Sequence, residues 1–297
     1  MNCNVCSGNT RFAFYSEDYR YGVKGRFSFY ECKECGTLSL DIKKKVEEYP
    51  NKEYYSYTQS NKVSKRGLFF YNLFYSEPSL LSLALFFLRP FTRGTVIRKG
   101  NKFLDVGCGS GMFLAKMKKL GLEVYGIEPG TIPKQAIKSY NIQNVETQKS
   151  KFKEGFFDII TMNHVIEHSK TPFSDIKKLR TYLKNGGTFI IAAPNTDSIA
   201  FKIFGKYWAQ VDAPRHKALF GAKILKKMLE EAGFKITRIR YNSMPYQFSS
   251  SLKYYLKANG KDAWFLDSGA VKLMLMPFAF LMNLLRIGDQ VEIWAKK

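Results

Sequence analysis

Histidine is scarce in this 297-residue chain: His164, His168 and His216 are all there are. Imidazole chemistry is therefore confined to two short stretches. Acidic residues are also short, with 25 Asp and Glu against 47 Lys and Arg, a formal net charge of +22. That imbalance bears on partners and not on fold, and leaves anionic lipid, phosphorylated substrates and nucleic acid open. No run of five basic residues occurs; Lys43–Lys45 is the longest. No stretch reaches about 18 uninterrupted apolar residues, so a regular membrane span is not expected. The opening MNCNVCSGNTR has no apolar core, so no secretory signal peptide is expected and the compartment reads as cytoplasmic and reducing. No internal repeat is visible. What is present is globular composition, 45% apolar and 24% charged, which excludes a mainly disordered or collagen-like chain. Aromatics are abundant, with 25 Phe and 18 Tyr. The length leaves room for one large domain and a small one.

Four of the five cysteines form two C-x-x-C pairs, Cys3 with Cys6 and Cys32 with Cys35. Two such knuckles can place four thiolates tetrahedrally around zinc and close a structural site. The segment between them, RFAFYSEDYRYGVKGRFSFYE, reads as short aromatic strands joined by glycine turns, the content of a zinc ribbon spanning residues 1–40. So short a segment buries little core, and metal binding would supply its folding free energy. The competing readings are disulfides or a redox motif; a reducing compartment disfavours the first, and a second C-x-x-C is superfluous to the other. Cys108 reads as a small buried filler.

Residues 41–62 are polar and Tyr-rich, and 67–91 turn sharply apolar, so 41–99 reads as a linker and an apolar helical cap. From residue 100 onward short apolar runs alternate with helical spacing. NKFLDV, LEVYGIE, FFDIITM and GGTFIIAAP read as buried strands. GMFLAKMKKLG, TIPKQAIKSYN and TPFSDIKKLRTYLKNGG carry helix start and stop signals. GFKITRIRYN and DQVEIWAKK supply two late strands around an apolar insert at about 243–287. Strand and helix alternation of this kind predicts an α/β fold, a mostly parallel sheet covered by helices on both faces.

Ligand chemistry enters at FLDVGCGSGMFLAKM. Gly107, Gly109 and Gly111 lack Cβ atoms, so a ligand can approach the backbone and tight turns are allowed. A lone glycine triplet would also fit a dinucleotide fold. The third dinucleotide glycine is missing, however, because its place is taken by Met112. Asp105, two residues before the first glycine, suits a cationic ligand better than a pyrophosphate. Glu128, ending the second strand, is placed to accept hydrogen bonds from two ribose hydroxyls.

Together LDVGCGSG, VYGIEPG, FDIITMNHVIEHSKTP and LKNGGTFIIAAPN resemble the motifs of the class I S-adenosylmethionine-dependent methyltransferases. The resemblance covers about residues 100–241 and implies a Rossmann-like seven-stranded sheet whose last strand is antiparallel. Carried over motif by motif, Asp105 and the three glycines would hold the methionine moiety of S-adenosylmethionine, Glu128 its ribose, and Asn163 would lie beside it just beyond the fourth strand. The third-strand region, NVETQKSKFK, lacks the acid that often meets the adenine. WAQVDAPRHKALF is similar to text in methyltransferases of bacterial surface-polysaccharide and natural-product clusters, several of which carry an N-terminal zinc ribbon. HVIEHS is similar to the E-x-x-E-H of ubiquinone-pathway O-methyltransferases. Here the first acid of that pattern is His164, which leaves a divalent-metal site with Glu167 and His168 incomplete.

The implied activity is methyl transfer to a small or carrier-linked acceptor, at oxygen of a sugar or polysaccharide precursor. A quinone or lipid O-methyltransferase at the membrane is the alternative, since the apolar stretches 67–91 and 270–287 read either as a cap over the cleft or as a face touching the inner membrane surface. An RNA-directed enzyme or nucleic-acid-binding module is the rival of another class. TMNHVIEH lacks the Asn/Asp-Pro-Pro-aromatic signature for a base amine, so nucleic acid is not expected. His216, in the loop after the fifth strand, is the candidate general base. Arg215 and Lys217 read either as a clamp for an acceptor carboxylate or phosphate, or as solvated charge.

The cofactor pattern gives the first prediction. Titration calorimetry should show S-adenosylmethionine binding and negligible NAD binding, with Glu128→Ala weakening the former by on the order of 1.5–3 kcal/mol through lost charged hydrogen bonds. Tight NAD binding with no response to S-adenosylmethionine would overturn it.

Overall fold

A computed structural model describes residues 2–41 and 98–297. The expected linker and cap therefore lie almost wholly outside the described residues, the apolar stretch 67–91 included.

The N-terminal segment forms β1 (Thr10–Ser16), β2 (Phe27–Cys32) and β3 (Leu38–Leu40). The larger part runs β4 (Lys102–Val106), α1 (Met112–Lys119), β5 (Glu123–Ile127), α2 (Lys134–Ser139), β6 (Ile142–Gln143), β7 (Phe157–Asn163), α3 (Pro172–Tyr182) and β8 (Leu183–Pro194). It continues with α4 (Ile199–Phe204), β9 (Ala218–Leu219), α5 (Ala222–Glu231), β10 (Lys235–Tyr241), α6 (Pro245–Ala258), α7 (Gly269–Met274), α8 (Met276–Leu284) and β11 (Gln290–Lys296).

Seven strands make one sheet in the order β10-β11-β8-β7-β4-β5-β6. Pairing is parallel from β8 through β6, while β11 runs antiparallel to both its neighbours. Successive residues of the central strands face opposite sides, as the period of two requires. Leu104, Ile160 and Ile191 enter one buried cluster with Ile176 and Leu179 of α3 and Leu225 and Leu229 of α5. Phe103, Ile159 and Ile190 enter the other, with Leu114 and Met117 of α1. Helices thus cover both faces, which is why these strands read as continuous apolar runs.

Two boundaries differ from the sequence reading. The helix expected to run through LKNGG stops at Tyr182, because the carbonyls of Thr181 and Tyr182 accept the amides of Gly155 and Phe156. Buried Leu183 then pairs with Phe157 as strand. The third strand is only Ile142–Gln143, upstream of NVETQKSKFK. Pro277, expected to break the apolar stretch 270–287, sits in the first turn of α8, where a missing N–H is harmless.

The ribbon does not stand apart. Its sheet runs β1-β2-β3-β9, so a strand from beyond β8 completes it. Phe27, Phe29, Leu38 and Leu40 share a buried cluster with Phe204, Trp208 and Leu219. Among the described residues no helix is long and apolar enough to cross a membrane.

Candidate active site

The sheet order reverses beside β4, whose neighbours are β5 and β7, and ligands of open α/β sheets bind outside the carboxyl ends of strands at such a point. The residues singled out in the sequence gather there. Asp105, near the end of β4, is buried and accepts the Thr161 hydroxyl of β7 at 2.7 Å. Gly107, Gly109 and Gly111 all have left-handed φ, of 70°, 53° and 79°. A Cβ at Gly107 would come within 2.2 Å of Val165, so both conformation and space demand glycine.

Glu128 follows β5 and is buried. Its Oε2 accepts the amide of Gly109 at 2.9 Å and its Oε1 that of Gly130 at 2.8 Å. The carboxylate therefore braces the glycine turn. Two buried acids around an open backbone suit a cationic, hydroxyl-bearing ligand and would repel a pyrophosphate. Asn163 is the last residue of β7, paired with Ala192, and not just beyond the strand as the sequence suggested.

A second cluster lies after β7. His164 adopts φ 54°, a left-handed conformation rare outside glycine, and its Nδ1 lies 3.2 Å from Glu167 Oε1. Glu167 is fully buried, and its Oε2 has no hydrogen-bond partner among the described residues. Burial pushes this carboxyl up, but the hydrogen bond from His164 holds it below its usual range. His216 arrives from the loop before β9. Its Nδ1 lies 2.7 Å from the Gln210 carbonyl, while Nε2 is 3.8 Å from Asp212 Oδ2 and 3.9 Å from Glu167 Oε1. Burial pulls its pKa down to about 4, so the ring is neutral at pH 7. The His168 ring meets it edge-on at 4.8 Å, and its Nδ1 lies 2.9 Å from the Arg215 carbonyl.

Glu167, His168 and His216 bring one ligand atom each within 4.8 Å of one another. This nitrogen and oxygen set could hold a divalent ion, with His216 in the place that His164 fails to fill. Arg215 is no acceptor clamp. It is wholly buried and paired with Asp18 and Asp212.

The sequence profile of the family described as "Methyltransferase domain" matches residues 80–239, more than half of the chain. The chain belongs to the methyltransferase-domain family. Among curated relatives, the ubiquinone biosynthesis O-methyltransferase of Acinetobacter baumannii (strain AYE) is 32% identical over 118 residues, 36% of this chain and 50% of the relative. That of Acinetobacter baylyi is 29% identical over 165 residues, covering 49% and 69%. The chain thus spans about half the length of the first of these relatives. A SAM-dependent methyltransferase structure from Archaeoglobus fulgidus aligns with 67% of this chain and 86% of its own at 23% identity, TM-score 0.45.

N-terminal to the matched residues, at one end of the smaller sheet, the four knuckle cysteines converge. The Cys3–Cys35, Cys6–Cys32 and Cys6–Cys35 sulfurs are 3.7, 3.4 and 3.5 Å apart, and all four are free thiols. Four bonds of about 2.3 Å in a tetrahedron set sulfurs about 3.8 Å apart, so the donor set fits zinc. Although desolvation pushes the Cys32 thiol up, backbone amides including those of Cys35 and Glu34 bring it down to about 7, favouring the ligating thiolate. Cys108, buried beside Asp105, is pushed well up, as an inert filler would be.

Sequence reasoning missed Asp289. It precedes β11 and lines an apolar pocket together with Ile199, Met244, Phe248, Phe278 and Met282. Trp208 Nε1 donates to its Oδ2 at 3.4 Å, and Oδ1 has no partner among the described residues. Burial pushes this carboxyl up to about 6.

Metal analysis of purified protein should find one zinc per chain, which Cys32→Ser should release; no zinc, or disulfides in native extract, would sink the ribbon site. Asp289 gives a pH prediction. Its folded pKa of about 6 exceeds the ordinary 3.8, so its contribution to stability falls as pH rises through that window and is flat above it. His216, depressed to about 4, slopes the opposite way, so only a difference against wild type isolates Asp289. In urea unfolding, the stability of Asp289→Asn relative to wild type should rise from pH 4 to 6 and then level. A pH-independent gap would contradict this.

Proposed function

We propose that the protein transfers the methyl group of S-adenosylmethionine to a hydroxyl of a small or carrier-linked acceptor. The observation that carries this reading is the meeting, at one end of the sheet, of an acid-flanked glycine turn with a buried neutral histidine between two carboxylates. S-adenosylmethionine would supply a sulfonium methyl whose carbon an acceptor oxygen can attack in line, the C–S bond breaking as the O–C bond forms and S-adenosylhomocysteine leaving as the neutral thioether. Asp105 and the glycine backbone would hold its amino-acid end, Glu128 the ribose hydroxyls, and Asn163 would lie alongside. Where no ion occupies the Glu167, His168 and His216 set, His216 donates from Nδ1 to Gln210 and its Nε2 lone pair would take the acceptor proton. Asp212 and Glu167 then stabilise the imidazolium.

For the acceptor, the pocket above Asp289 favours the quinone- or lipid-like alternative over the sugar precursor. Its walls are apolar, and its one buried acid offers an acceptor to a single hydroxyl. Beside it Trp264, Leu273, Met274 and Leu284 are each about 70% exposed, with Lys261, Lys272 and Arg286 near in sequence. A face of this kind suits peripheral contact with an anionic membrane.

The test is methyl transfer from labelled S-adenosylmethionine to two acceptor panels, alkylated phenols and nucleotide sugars. Transfer to the phenols is expected, with His216→Ala lowering turnover by about 10²–10⁴-fold and leaving cofactor affinity within a few-fold. Turnover near wild type would remove the base role, and transfer to sugars alone would restore the sugar reading.

A further inference from the structure

We propose that the N-terminal ribbon is a working part of the reaction site, with Asp18 and Arg215 as positioning residues that hold the loop carrying His216. The proposal rests on the role given to His216 above.

The loop needs holding. Asp212 adopts φ 35°, a conformation that a non-glycine residue keeps only where its surroundings fix it. Those surroundings come from the ribbon side. Arg215 Nη2 donates to Asp212 Oδ1 at 2.7 Å, and the amides of Arg215 and His216 both donate to the Asp212 carbonyl. The same guanidinium donates to both Asp18 oxygens, at 2.9 and 2.7 Å, and lies 4.6 Å from the centre of the Tyr21 ring. Asp18 is fixed in turn by the amides of Arg20, Tyr21 and Val23. Arg20 Nη1 reaches within 3.8 Å of Asp212 Oδ2, the oxygen that faces His216.

A second tie lies on the other side of the imidazole. Leu40 N donates to the Lys217 carbonyl, and Lys217 N donates to the Glu167 carbonyl. Leu38 and Ser39 then pair with Leu219 and Ala218. His216 therefore sits between two residues, each anchored to the ribbon.

Through the zinc it would hold, the cysteine centre bears on the first of these ties. Cys32 ends β2 opposite Thr10, the start of β1, and Asp18–Val23 lie in the connection at the other end of that hairpin. The knuckles have almost no apolar core of their own, so metal binding would hold the register of β1 and β2 at their Thr10–Cys32 end. That register places Asp18. A brace that served stability alone would leave the imidazole environment unchanged when loosened.

Three histidines make this measurable, because each imidazole gives its own proton resonance and His216→Gln assigns the one that matters. Spectra should be recorded with saturating S-adenosylmethionine and in the same chelator-treated, zinc-replenished buffer, for wild type, for zinc-free Cys32→Ser and for Asp18→Asn, so that occupancy of the Glu167, His168 and His216 set is the same throughout. Both variants should displace the His216 resonance by more than its linewidth and lower turnover on the order of 10²-fold, the scale of an ångström's misplacement. Calorimetric affinity for S-adenosylmethionine should stay within about twofold. An unmoved His216 resonance in Cys32→Ser shown to lack the ribbon zinc overturns the proposal, and this arm decides the matter even if Asp18→Asn does not fold. Failure to bind S-adenosylmethionine would instead strike at the methyl-transfer reading, leaving the resonances to judge the strap.

Discussion

A guanidinium with no exposed surface must be paired, and the pairing of Arg215 organises much of this molecule. Taking such a charge out of water costs several kcal/mol, and removing one partner of a buried pair typically costs about 3–5 kcal/mol. Arg215 is shared between Asp18 and Asp212, residues 197 and 3 positions away in the chain. Against burial, the Arg215 bonds hold the Asp18 carboxyl below its usual range, and for Asp212 they add to the larger effect of the neighbouring His216. The result is a fixed join between the N-terminal strands and the loop after β8, reinforced by the pairing of β3 with β9. The small sheet has only a few buried apolar side chains of its own, and most of the cluster it joins belongs to α4 and the 208–219 region. The join lets a segment too short for an independent core fold against the larger one.

Much of this was legible in the sequence for a reason that the structure makes plain. Strands buried on both faces are apolar throughout, and glycine is obligatory where φ is left-handed and the space is closed. FLDVGCGSG therefore announced a strand, a turn and a ligand together. The ends of α3 and the length of β6 were not legible, because both are set by partners elsewhere: the amides of Gly155 and Phe156 in one case, the neighbouring β5 in the other. The same holds for Arg215. In the string VDAPRHK it looks like surface charge, and nothing local says that Asp18 is waiting for it. Asp289 was hidden for a different reason: a single acid opening the strand DQVEIWAKK carries no spacing signal, and only the apolar walls around it give it meaning. Asp212 had a weak signal, four residues before His216, that becomes informative only once the loop's conformation is known.

The overall charge of the chain and the charge of its cleft have opposite signs. The formal balance is +22, yet the buried charged groups at the carboxyl end of the sheet are mainly acids. Asp105, Glu128, Glu167 and Asp289 are each at most 6% exposed, whereas many of the lysines lie in solvent. Charges in water are screened over about 8–10 Å at ordinary ionic strength, while buried ones are screened much less. A ligand inside the cleft therefore feels the acids more than the lysines. That arrangement attracts a sulfonium and an ammonium, and it penalises an acceptor that brings phosphate close to Glu167 or Asp289. The basic exterior acts on the solvent side, within the screening length of the lysines themselves. Under the proposed reading, a neutral hydroxyl on an apolar body would satisfy both fields at once, whereas a nucleotide-linked sugar would be drawn to the exterior and opposed within.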